Sequence, residues 1–187
     1  MVGIAALVII IGTLYGVNHR FTNPTYTESM ATTSLSLTSP AFDAGESIPS
    51  KYTCEGAQTS PPLAISGVPA EAKTLALLMD DPDVPKKIKP DGMFDHWVLF
   101  NIPATTTEIA EGSNAGIVGE NGGGISEYTG PCPPKEYEPS EHRYFFKLYA
   151  LDTALPLSAR ASKTDVERAM KGHVIAETQL VAKYKKE

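Results

Sequence analysis

Cysteine is scarce in this chain, with two among 187 residues. Two thiols close one disulfide at most, which excludes a cysteine-stapled miniature scaffold and a four-cysteine zinc site. No dense Lys/Arg stripe occurs, and the formal charge is −6, from 16 basic and 22 acidic residues. An acidic surface repels phosphate backbones, so nucleic acid is not an expected partner. A Gly-x-Ser-x-Gly elbow, a Walker-type phosphate loop and a His-Glu-x-x-His helix are all missing. With them go the usual sequence signals of an elbow-type hydrolase, a nucleotide cradle and a zinc protease. No internal repeat and no second linker break up the chain. What is present is an ordinary globular balance, 42% hydrophobic and 20% charged, with 15 prolines and 15 glycines. That balance excludes a disordered chain, a collagen-like repeat and a multi-span membrane protein, and it promises many turns.

Charge is also missing from Val2 to Val17, which are almost all apolar. The run is slightly shorter than the roughly 20 residues of a spanning helix. A cleaved signal peptide would start with positive charge and carry small residues soon after the apolar run. Here the start is only Met1, and the first small-x-small site, Ser29-Met30-Ala31, lies far downstream. Residues 1–17 therefore fit an uncleaved membrane anchor better than a cleaved signal, with a buried core segment as the plain alternative. Residues 18–34 are rich in Thr and Ser and read as a flexible tether. The expected location is a membrane surface outside the cytoplasm, or secretion if the run is cleaved. One domain is expected over residues 35–187.

Within that domain the segments Thr74–Asp80, Trp97–Ile102 and Arg143–Leu151 are apolar on both alternating faces. Such runs fit central strands covered on both sides. A short first strand is expected near Leu35–Leu37. Val174–Tyr184 is a further strand, with Val174, Ala176, Leu180 and Ala182 on one face. One helix is clear: Ser162 or Thr164 caps it, Val166, Ala169, Met170 and His173 share a face, and Gly172 ends it. Few helices and several strands predict an antiparallel β-sandwich, mainly β, with short peripheral helices.

Three loop segments at strand ends carry the polar chemistry: Asp80–Pro85, Phe94–Trp97, and Gly130–Pro134 with His142–Tyr144 eight residues on. Two imidazoliums, a phenol hydroxyl and a backbone N–H at Gly130 would form a small oxyanion site. Asp81, His96 and His142 equally form a carboxylate-and-two-imidazole set of the kind iron and zinc use. Spacing does not separate the two, because the ligands come from distant segments. Each histidine read alone is a structural group, and Asp81-Pro-Asp83 read alone is a turn. Cys132, ten residues before His142, is a thiolate partnered by that histidine, a free structural thiol, or half of a disulfide with Cys54. Trp97, at a strand start, reads as core. Asn121-Gly-Gly-Gly124 reads as a mobile surface loop.

Asp81-Pro-Asp-Val-Pro85, Asp95-His-Trp97, Gly130-Pro131 and His142-Arg-Tyr144, in this order, resemble the phosphatidylethanolamine-binding protein family. Tyr52–Gly56, Ser60-Pro-Pro62, Gly130–Pro134 and Phe145–Asp152 look like its bacterial and archaeal branch, often described as Raf-kinase-inhibitor-like. The resemblance runs from about Leu35 to Tyr184. It implies a sandwich of antiparallel sheets with a small pocket for phosphate-like anions. Carried over, the pocket comprises Asp81, His96, Gly130, Pro131, His142 and Tyr144, with Asp83 and Pro85 shaping its rim. It implies ligands such as phospholipid head groups, phosphorylated or nucleotide compounds and acetate-like anions. Some members inhibit kinases, serine proteases or carboxypeptidases, so a protease or kinase is a candidate partner, engaged through Lys86–Phe94 or Ile117–Glu127. A Raf partner does not carry over to a prokaryotic-type member. A binding protein is expected, with no catalytic residue, metal or cofactor. Two features depart from the family pattern: the N-terminal run, and the link from Lys135 to Glu141, whose three glutamates lower the local potential.

Overall fold

A computed structural model describes residues 34–187. The expected anchor or signal at 1–17 and the tether at 18–34, apart from Ser34, lie outside the described residues. Among the described residues no helix is long and apolar enough to cross a membrane.

The strands are β1 (Ser36–Thr38), β2 (Leu63–Ser66), β3 (Thr74–Asp81), β4 (Phe94–Pro103), β5 (Glu108–Ile109), β6 (Ile117–Val118), β7 (Glu141–Leu151) and β8 (Val174–Lys185), with helix α1 (Lys163–Met170) before β8. They form a small sheet, β1-β2-β5, and a larger one, β6-β4-β3-β7-β8, with antiparallel neighbours throughout. The expected mainly-β sandwich is the observed fold.

β3 sits in the middle of the larger sheet and is buried along its whole length. Its alternation divides the apolar residues between two cores. Leu75, Leu77 and Met79 face the small sheet, where they join Trp97, Leu99, Phe146, Leu63 and Ile65. Ala76 and Leu78 face outward, where Val98, Phe100, Val166 and Met170 cover them. Each large apolar side chain removed from water stabilises the fold by about 1.5–3 kcal/mol. Trp97 is fully buried, and its indole Nε1 donates to Asn114 Oδ1 at 3.0 Å.

Ser162 caps α1 in a reciprocal box: its hydroxyl accepts from the Asp165 N–H, and the Asp165 carboxylate accepts from the Ser162 N–H. Two expectations fail beyond the helix. His173 does not share its face, because Gly172 turns the chain at φ +84° and His173 is held by Asp152 at 2.8 Å. Val174 leaves the face of Ala176, because a register shift at the start of β8 sets it opposite Leu151 while Ala176 lies opposite Ala150.

Candidate ligand-binding site

β3 ends, and β4 and β7 begin, at the same end of the larger sheet. Asp81 closes β3 with the parity of Met79, so it points toward the inner side. His142 and Tyr144 lie two apart on β7 and point the same way as Phe146. His96 reaches this group by an irregularity. Met79 pairs with Trp97 while Asp80 pairs with Asp95, which leaves His96 as one extra residue on β4. Such a bulge re-aims a side chain, and the imidazole of His96 lies edge-on to Tyr144 at 5.2 Å.

His142 Nδ1 donates to Asp81 Oδ2 at 2.7 Å. His96 Nδ1 donates to the Thr129 carbonyl at 2.7 Å, and its Nε2 lies 3.9 Å from Asp81 Oδ2. A carbonyl and an ionised carboxylate only accept, so both Nδ1 atoms carry hydrogen. That leaves two Nε2 edges, both buried and without a hydrogen-bond partner, beside a Tyr144 hydroxyl in the same condition. Burial pushes the Asp81 carboxyl up, but the bonds from His142 and the Asp83 N–H, with the His96 ring nearby, outweigh it and hold the group below the ordinary carboxylate range. Burial, and then the Asp81 charge, push the Tyr144 phenol far up, so it stays a donor.

These groups form one side of a cavity of about 260 Å³ lined by Asp81, His96, Gly130, His142, Thr129, Cys132 and the apolar side chains of Val84, Ile88, Phe94, Pro133 and Pro134. Four of the eight expected site residues therefore line it. Tyr144 lies behind His96. Pro131 is buried and does not line the cavity, and its carbonyl accepts from the Cys54 N–H at 3.0 Å. Pro85 closes a turn by accepting from the Ile88 and Lys89 N–H groups. Asp83 does not line the cavity, and its carboxylate accepts from the backbone N–H, Nε and Nη2 of Arg143 at 2.7–2.9 Å. Arg143 thereby holds the Asp83 carboxyl below its usual range and ties the start of β7 to the loop after β3. Gly130 acts through its bareness: an added Cβ would stand 2.7 Å from the Tyr52 carbonyl oxygen.

Sequence reading missed Thr129 and Asn121. The Asn121 side chain ties its loop together. The Asn121 amide donates to the Glu127 carbonyl and the Thr129 hydroxyl, and accepts from the Gly123 and Ile125 N–H groups. Thr129 in turn donates its N–H to the His96 carbonyl at 3.0 Å. An Asn before three glycines was the available signal. Cys54 and Cys132 are joined as a disulfide, so Cys132 offers no thiolate to His142. Asp81 and His142 stand at hydrogen-bond distance with a proton between them, and among the described residues no group of three His, Cys, Asp or Glu side chains is placed to hold a metal ion. A larger depression of about 390 Å³ on the outer face of β7 and β8 is lined by Lys147, Tyr149 and Glu177. It contains neither of the unpartnered imidazoles.

The sequence pattern described as phosphatidylethanolamine-binding protein matches residues 38–185. The chain belongs to that family. Within it, the chain is 44% identical over 153 residues to a UPF0098 protein of Chlamydia pneumoniae, covering 81% of this chain and 99% of that one. It is 46% identical over 159 residues to a UPF0098 protein of Methanothermobacter thermautotrophicus, covering 81% and 99%. Among solved structures, a phosphatidylethanolamine-binding protein homologue from Chlamydia trachomatis superposes with a TM-score of 0.79 at 41% identity, covering 83% of this chain and 99% of that one. Escherichia coli YbcL superposes with a TM-score of 0.72 at 30% identity, covering 82% and 99%. These relatives set the chain in the bacterial and archaeal branch of the phosphatidylethanolamine-binding proteins. Glu136, Glu138 and Glu141 are all exposed, where water and salt screen their charge.

Proposed function

We propose that this family member is a binding protein, and not an enzyme, for a small anionic group such as phosphate or a phospholipid head group. One observation carries the reading: two buried imidazole edges, at His96 and His142, have no partner while the opposite edge of each ring is engaged. With each Nδ1 already carrying hydrogen, an Nε2 atom donates to an anion only in the imidazolium form of its ring. The apolar collar of Val84, Ile88, Phe94, Pro133 and Pro134 suits the carbon part of an organophosphate better than a bare ion. The test titrates inorganic phosphate and then glycerophosphoethanolamine into the full-length chain while the histidine ring signals are followed by NMR. Both rings shifting with one saturation curve supports the reading. Neither ring shifting at saturation removes it.

The disulfide supports a location outside the reducing cytoplasm. The uncharged Val2–Val17 run supports tethering to a membrane, or export if it is removed. A second reading, inhibition of a protease or kinase partner, is favoured by Ile88 and Ile125, which are 54% and 44% exposed on two loops beside the cavity. Inhibition that survives replacement of both site histidines by alanine would select it.

A further inference from the structure

Asp80 and Asp95 each sit one residue before a member of the site, Asp81 and His96. They are cross-strand partners across the His96 bulge. Two carboxylates directly opposite one another repel and would part β3 from β4 there. They point away from the cavity, to the outer face of the sheet. There the ammonium of Lys163 lies 2.8 Å from Asp80 Oδ1 and 3.1 Å from Asp95 Oδ1. Lys147 meets the other oxygen of Asp80 at 2.6 Å. The Lys163 side chain is only 10% exposed, although it belongs to the first residue of α1. Burial lowers its proton affinity, but the two carboxylates outweigh this and keep it cationic. The same stretch of chain also grips the loop that supports His96 from the other side. The Ala161 carbonyl accepts from the Glu120 N–H at 3.0 Å, next to Asn121.

From this geometry we infer that Lys163 is a positioning residue for the ligand site, acting through the sheet by bridging the opposed Asp80–Asp95 pair and so fixing the bulge that aims His96 into the cavity. The inference rests on the proposed reading of that cavity as the ligand site. Burial of an ammonium among carboxylates is costly unless every charge is matched. A packing role alone would be served by an apolar side chain. The matched arrangement instead controls the spacing of two strands where their register breaks beside the cavity.

The experiment replaces Lys163 by methionine, which keeps the stem and removes the charge, in the full-length chain. Lys163→Met should weaken inorganic phosphate binding about fivefold, the size of a like-charge cross-strand penalty. It should also change the His96 ring nitrogen signals in the ligand-free protein, since the Nδ1 bond to Thr129 loosens. Adding Asp95→Asn neutralises one of the opposed carboxylates and should restore both. If Lys163→Met does not fold, Asp95→Asn in the same chain must restore folding. Parental His96 signals in Lys163→Met would overturn the inference, as would a double variant that recovers nothing. The ring signals are read without ligand. A parent that binds no phosphate therefore overturns the proposed function alone, and the role of Lys163 is still decided.

Discussion

At the centre of the site the Asp81 carboxylate accepts from His142 Nδ1 on one oxygen and from the Asp83 N–H on the other. His142 is 1% exposed and His96 4%. Replacing His142 by alanine removes an Nε2 donor and should weaken phosphate binding by about 1.5–3 kcal/mol, the worth of a hydrogen bond to a charged group. Calorimetric titration of the variant checks this, and an unchanged affinity would take His142 out of the site. Asp81 makes a separate prediction about stability. Its folded pKa lies below its unfolded one, so the unfolded chain binds the proton more tightly. The resulting stability is complete above the ordinary carboxylate value of about 4 and is lost as pH falls toward the folded value. Asp81→Asn should therefore be less stable than the parent near neutrality, and the gap should narrow in acid. Urea denaturation across the acidic range measures it. A gap of constant size would show that Asp81 does not carry this linkage.

Among the elements, β4 does two jobs with adjacent residues. Trp97 fills the inner core and His96 serves the cavity. Trp97→Ala should cost about 3–5 kcal/mol, from the lost core volume. A variant that melts like the parent would refute the core assignment. The difference between these neighbours also explains what the sequence could reveal. Trp97 to Ile102 is a continuous apolar run, and such runs announce buried strands by composition alone. β3, β7 and most of β8 were legible on the same ground. The bulge at His96 was not, since it is defined by which residues of β3 lie opposite and no local pattern records that. Asp83 and Pro85 follow the same rule. Their motif was visible, but their engagement with Arg143 and with the Lys89 turn depends on where β7 and the next loop return. The hydrogen bonds that Asn121 makes within its loop were not legible either, since they depend on where Glu127 and Thr129 return.

Across the whole molecule, two distant stretches meet at the cavity wall through a covalent link. Cys54 follows the turn at Ser50–Tyr52, and Cys132 belongs to the segment between Gly130 and Pro134 that lines the cavity. Their Cα atoms are 5.4 Å apart although 78 positions separate them in sequence. Closing so long a loop restricts the unfolded chain strongly, and removal of such a bond typically costs about 2–5 kcal/mol. Local bonds back up the link: the Cys54 N–H donates to the Pro131 carbonyl, and the Tyr128 hydroxyl donates to the Tyr52 carbonyl at 2.7 Å. Gly130 packs against the same backbone. The wall is thus held by non-covalent contacts as well as by sulfur. A Cys54→Ala/Cys132→Ala chain should unfold at lower denaturant by that amount, yet fold under mild conditions with the His142–Asp81 pair in place. Its phosphate affinity should then fall less than that of His142→Ala. Equal losses in the two variants would mean that the disulfide, and not the hydrogen-bonded backbone around Gly130, holds the cavity in shape.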